Sequence, residues 1–288
     1  MRRVLVILSV MSIGLCLQTT AQTSIGVTPP WLTYLGDGAT HAFSCTSGFC
    51  GIDDEHWYTS FNISPGATAL VHAGNGPGII RSTGPCTIAG TLANTPNIDG
   101  SLGISVQGDF GGGGGGGGGA AGGPGHFGWY TVGNGWVPIV SGGAAGAKGG
   151  GAGGNGSVPV FPQYAPLLSA GSFWPAGGSL GGKGAGPNGG VPGVAGGPVI
   201  LVCQSINFTG TIDVSGGPGK PPTANGSGAG GGGGAGYAIL STANWVANTG
   251  TIKLQGGAGG SCTGFTDCGA GGSGGNGWSI EILISSQP

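Results

Sequence analysis

Nine consecutive glycines, Gly111–Gly119, sit in the middle of this chain, and runs interrupted by Ala or Asn recur at Gly150–Gly156 and Gly228–Gly236. No other feature limits the possible folds so sharply. Each interior helix position held by Gly costs about 1 kcal/mol relative to Ala. With 75 glycines in 288 residues, an ordinary helical domain is excluded. Gly does not recur strictly at every third position, which excludes collagen. Two readings of the runs are open. One is a solvated linker. The other is packed polyglycine II, a left-handed threefold helix without internal hydrogen bonds, whose N–H and C=O groups must all bond sideways to neighbouring chains or water. Three features favour the packed form. Charged residues are only 6% of the chain. Aromatic and β-branched residues return after every run, and cysteines flank or sit within the runs.

The low charge also bears on function. Formal net charge is −2, and no basic stripe is present, so nucleic-acid binding is not expected. Four His and nine Asp or Glu are spread over the whole chain, which points away from an acid–base enzyme. Arg2 and Arg3 precede an apolar run, Val4–Leu17, and Thr19 and Ala21 suit the positions before a cleavage site at Gln22. This reads as a secretory signal peptide over 1–21. The apolar run is shorter than the roughly 20 residues a spanning helix needs. The expected mature chain has no membrane span and a net charge of −4, from 5 basic and 9 acidic residues.

Six cysteines lie beyond the expected cleavage site: Cys45, Cys50, Cys86, Cys203, Cys262 and Cys268. An even number in an exported chain favours disulfides. Cys45 with Cys50 and Cys262 with Cys268 are close neighbours, which leaves Cys86 with Cys203. The spacings do not match zinc knuckles, so no metal site is expected there.

Along the chain, 22–54 is a mixed N-terminal segment, 55–110 a strand-rich lead-in, 111–196 a glycine-rich region with aromatic loops, and 197–288 a repeat. In the repeat, Thr209–Gly217 (TGTIDVSGG) matches Thr249–Gly257 (TGTIKLQGG), and Thr87–Leu92 looks like a weaker early copy. Repeats of this length imply stacked units that bury their faces against one another. Each unit is expected to hold two short strands and then a glycine-rich excursion. Ile200, Leu201, Ile206, Phe208, Ile212 and Val214 would form one apolar face, and Ile239, Leu240, Trp245, Val246, Ile252 and Leu254 the next. The expected fold is all-β: repeated short strands, solenoid-like or sandwich, combined with a packed polyglycine II bundle. The last strand, Trp278–Ser285, is expected to form an open sheet edge able to pair with another copy.

The pattern TGTIDVSGGPG…GAGGGGGAGYAILS…NTGTIKLQGGAGG resembles the glycine-rich extracellular proteins of bacteria and phages. Its architecture is similar to that of T-even-type phage tail-fibre adhesins, in which polyglycine II rods carry variable loops that bind a host surface. This chain differs at its start, where a signal peptide replaces a Trp-rich docking segment. The resemblance implies a bacterial, secreted, non-enzymatic surface-binding protein. A weaker likeness to springtail antifreeze proteins lacks their regular Gly-x-x repeat.

Candidate chemistry is sparse. G-x-G-x-x-G strings arise by chance at this glycine content, and no helix follows any of them, so no dinucleotide or other cofactor is expected. Asp53-Asp54-Glu55-His56 is the one dense polar cluster and reads as a solvated loop. The aromatic segments carry more weight. His126, Phe127, Trp129, Tyr130 and Trp136 form one, and Phe161, Tyr164, Phe173 and Trp174 another, both between Gly runs. Rigid aromatics supply contact area at low entropic cost. They are the candidate ligand-binding residues; the competing reading makes them a small core capping the Gly bundle. The expected partner is a cell-surface or extracellular polymer, with self-association as a further expectation. A structural or filament-forming role and ice binding stand as alternatives.

Overall fold

The computed structural model describes residues 23–25, 41–53, 56–72, 78–94, 129–132, 135–138, 150–151, 153 and 181–284. Among these, the regular structure is β-strand, with no α-helix. The first strands are β1 (Thr23–Ile25), β2 (Phe43–Cys45), β3 (Phe49–Asp53), β4 (His56–Tyr58), β5 (Phe61–Ile63), β6 (Thr68–His72), β7 (Gly78–Ile88) and β8 (Thr91–Ala93). A hairpin pair follows, β9 (Trp129–Val132) and β10 (Gly135–Pro138). The repeat supplies β11 (Val199–Phe208), β12 (Thr211–Asp213), β13 (Tyr237–Asn248), β14 (Thr251–Lys253) and β15 (Trp278–Ile284).

Apart from the antiparallel hairpin, all pairing is parallel. One sheet runs β1-β15-β13-β11-β7-β5-β2, with β4 also on β7; a second runs β14-β12-β8-β6-β3. Parallel neighbours cannot be joined by tight hairpins. Here the glycine-rich excursions make the crossovers, so the chain coils as a solenoid and not as a sandwich.

Each coil has three straight segments. β4 and β5 pair separately with the first and last parts of β7, at His56↔Ile80 and Phe61↔Cys86. The register between β7 and β11 slips between Cys203 and Ser205. In β13, Thr242 Oγ1 accepts the Asn244 N–H, a local turn. The strongest sign of bending is at the end of the stack. Glu281 lies opposite Leu240, yet Asn248 Nδ2 donates to its Oε2 at 2.6 Å. A straight strand would place residues 240 and 248 about 26 Å apart. The coil therefore folds around on itself, and its inner side chains face a shared interior.

That interior consists of vertical columns. On the first side Ile80, Leu201 and Leu240 stack. On the second Cys45, Ile63, Ile88 and Phe208 stack. On the third Cys50, Ala69, Leu92, Ile212 and Ile252 stack. Most are fully buried and belong to one core cluster. The early strands β2 and β3 join these same sheets. The outer face of the first side is buried too, through Ile79, Ile200, Val202 and Ile239. Burial on both faces explains the unbroken apolar run Val199–Cys203.

The disulfides are Cys45–Cys50, Cys86–Cys203 and Cys262–Cys268, the pairing expected from the sequence. Cys86–Cys203 crosses the interior between neighbouring coils, close to the register slip.

Two expectations are corrected. Val246 does not join the apolar face: a bulge between Ile206/Asn207 and their β13 partners turns it outward, 62% exposed. Nor is β15 the outermost strand. β1 pairs along it at Thr23↔Ile282, Ser24↔Leu283 and Ile25↔Ile284, and Ile282 is buried. Period-2 alternation does not register a three-residue strand contributed from the far end of the chain.

The glycine runs within the described residues are ordered. In Gly228–Gly236 no backbone bond is local. The N–H groups of Ala229, Gly232 and Ala235 donate to Gly269, Gly272 and Gly275. Those of Gly230, Gly233 and Gly236 donate to Lys220, Gly217 and Val214, and those of Gly228 and Gly231 to Ala185 and Gly182. The carbonyls of Gly228, Gly231 and Gly234 accept from Gly190, Gly193 and Gly196; those of Gly230 and Gly233 accept from Gly260 and Gly257; Ala229 accepts from Gly151. The period of three and the six surrounding segments are the honeycomb of packed polyglycine II. Gly151, from the sequence run at 150–156, lies beside this central rod. Gly111–Gly119 lies outside the described residues.

Candidate functional site

Each excursion leaves the solenoid as one rod and returns as another. Residues 214–220 go out and 228–236 come back; 254–260 go out and 269–277 come back; 181–184 and 190–197 form a third pair. A nine-residue rod spans about 28 Å at 3.1 Å per residue. The three connecting loops, 185–189, 221–227 and 261–268, therefore gather at the far end of the bundle.

Each loop reverses on one glycine in the left-handed region: Gly186 (φ 88), Gly226 (φ 70) and Gly264 (φ 86). A Cβ on Gly226 or Gly264 would meet nothing within 4 Å. Those two positions need glycine for backbone angle, unlike the rod glycines, which need it for space. The loops are tied to one another. Thr223 N–H donates to the Asn188 carbonyl at 3.0 Å, and Gly226 N–H to the Thr266 carbonyl at 3.1 Å. Asn225 Oδ1 accepts the Thr266 N–H at 3.1 Å. The Cys262–Cys268 disulfide closes the third loop. Asp267 is the one non-glycine described residue at positive φ, 52°.

The result is a pre-ordered surface of amide, hydroxyl and carboxylate groups. Asn188, Thr223, Asn225, Thr263, Thr266 and Asp267 are exposed, and the Phe265 ring beside them is half-buried. Such a surface can bond to a hydroxyl-rich ligand through fixed donors and acceptors and stack one ring on it. Among the described residues, no group of three His, Cys, Asp or Glu side chains lies together.

The sequence-predicted aromatic residues fall differently. Trp129, Tyr130 and Trp136 lie on the β9–β10 hairpin, with Trp129↔Pro138, Tyr130↔Val137 and Trp136↔Thr131 opposite one another. His126, Phe127, Phe161, Tyr164, Phe173 and Trp174 lie outside the described residues, as do Asp54 and Glu55. The three-loop tip was missed by sequence reasoning, although a signal for it exists. Turn glycines 186, 226 and 264 recur at 226 − 186 = 40 and 264 − 226 = 38 residues, each beside a Pro, Asn or Thr.

The chain matches no family model, no curated protein and no solved structure.

Proposed function

We propose that this is an exported, non-enzymatic surface-binding protein: a disulfide-bonded solenoid base, a polyglycine II stalk, and a binding tip built from three loops. The observation that carries the reading is the cross-bonding of residues 185–189, 221–227 and 261–268 at the end of a rigid bundle. Ordering those loops before contact removes entropy that a ligand would otherwise have to overcome. The expected partner is a hydroxyl-rich polymer at a cell surface or in the extracellular matrix. The hairpin bearing Trp129, Tyr130 and Trp136 is a second contact surface in this reading. Export is supported by the signal-like N-terminus and is compatible with three disulfides.

The polar end of the solenoid favours a discrete particle over a stacked filament. Glu281 and Asn248 occupy inward positions that hold Leu240 and Phe208 one coil earlier, and they bond to each other. Solenoids end in this way, with a polar terminal unit.

The test is binding of labelled protein to intact bacterial cells and to isolated envelope polysaccharide. Phe265→Ala with Thr263→Ala should lower binding at least tenfold without changing the melting transition. Wild-type binding by that variant, together with loss of binding by Trp136→Ala, would move the site to the hairpin.

A further inference from the structure

The first strand of the expected mature chain closes the edge of the last. Cleavage before Gln22 would leave Thr23 one residue from the new N-terminus, and Thr23–Ile25 lies in parallel register on Ile282–Ile284. The contact is short. Trp278, Ser279, Ile280 and Glu281 have no strand partner on that side among the described residues. The tether is long. β2 stands at the opposite end of the sheet, six strand spacings away in the order β1-β15-β13-β11-β7-β5-β2. At about 4.8 Å per spacing that distance is about 29 Å. The seventeen residues 26–42 can reach roughly 56 Å.

A strand held by three register pairs, on a connection with about twice the needed reach, can leave its own β15 and bind another at no loss of pairing. We propose that β1 is an exchangeable strand, and that the partner which fits the β15 edge is the Thr23–Ile25 segment of a second copy of this chain. The same backbone bonds form in either case, so the balance is set by concentration. A linked strand is held at an effective concentration of about millimolar. The free protein is then monomeric at micromolar levels, and exchange takes over where copies crowd, as on a surface. Two linked copies would present two tips, with the gain in avidity that linkage brings. The exchange stands independently of what the tip binds.

Single-cysteine variants test this in the full mature chain. Ser24→Cys and Leu283→Cys are made separately, mixed at millimolar and at micromolar concentration, and oxidised in air. Peptide mapping without reductant then looks for a 24–283 disulfide between the two proteins. We expect it in the concentrated mixture and at least tenfold less of it in the dilute one. The double variant should link internally when dilute. A concentrated mixture without the intermolecular link, alongside a double variant that links internally at every concentration, would overturn the proposal. Failure of the double variant to link at all would also overturn it, by removing the β1–β15 pair. Deletion of residues 22–25 supplies a second readout: the chain should stay folded, keep its three native disulfides and remain monomeric at every concentration. Concentration-dependent dimers in the deletion variant would place self-association elsewhere and reject β1 as its cause.

Discussion

A Cβ on Gly233 would overlap the carbonyl of Val194, and one on Gly230 the carbonyl of Val191. Both obstacles are backbone atoms of a neighbouring rod, locked by their own hydrogen bonds, so neither can rotate away. Gly233→Ala is therefore expected to cost about 3 kcal/mol, the upper end for overpacking. Ala235 is buried within the same rod, where the packing leaves room for a methyl group. Ala235→Gly should cost only about 1 kcal/mol, roughly one lost methyl. Gly226→Ala should cost about 1–2 kcal/mol, by backbone angle alone. Urea unfolding of the three variants checks the ranking. Equal effects at 233 and 235 would contradict close rod packing.

The rods and coils are stabilised in different ways. A rod buries little side chain, and the order of the central one, Gly228–Gly236, rests on hydrogen bonds to six neighbouring segments. Amide exchange within Gly228–Gly236 should therefore be protected to nearly the level of the solenoid core. Free-coil exchange rates there would refute the honeycomb. The coils rest on side-chain columns, in which Phe208 is 1% exposed. Phe208→Ala should cost about 3–5 kcal/mol. The disulfides follow loop length. Removing Cys86–Cys203, with a sequence separation of 117, should cost about 5 kcal/mol in the chain-entropy model, against about 2 kcal/mol for Cys262–Cys268 with a separation of 6. Paired Cys→Ser variants followed by thermal unfolding give the comparison. The tip disulfide should matter more for binding than for stability.

For the whole molecule, the telling feature is how the solenoid ends. Asn248→Ala leaves Glu281, 7% exposed, without its 2.6 Å partner. A buried charge deprived of its hydrogen bond costs about 3 kcal/mol, and the folded population should fall accordingly. Replacing both residues by Leu removes that penalty and presents an apolar coil end. The double variant should be at least as stable as Asn248→Ala and should self-associate, which sedimentation velocity would detect. A stable, monomeric double variant would show that this polar pair does not limit stacking.

Much of this was legible in residues alone. The TGTI motif recurs with an offset of 40, and those residues are the short strand β12 and its neighbour β14, paired Thr211↔Thr251. Cysteine spacing was enough to pair all six, because two pairs are local. Glycine runs poor in charge and serine favoured packed rods over a solvated coil. These features are local or periodic, so they survive in one dimension. The remaining features join distant parts of the chain. Nothing near Thr23 announces that it will lie on Ile282, and nothing near Asn248 names Glu281 as its partner. The tip exists only because three loops, at 185–189, 221–227 and 261–268, are carried to one place by rods of similar length. Sequence determined which segments would be strand, rod or turn, since that choice is made by steric limits and periodicity within each segment. Tertiary structure alone decided which edges are closed, which end is capped and which loops meet, because those outcomes depend on how far each rod and coil carries the chain before it returns.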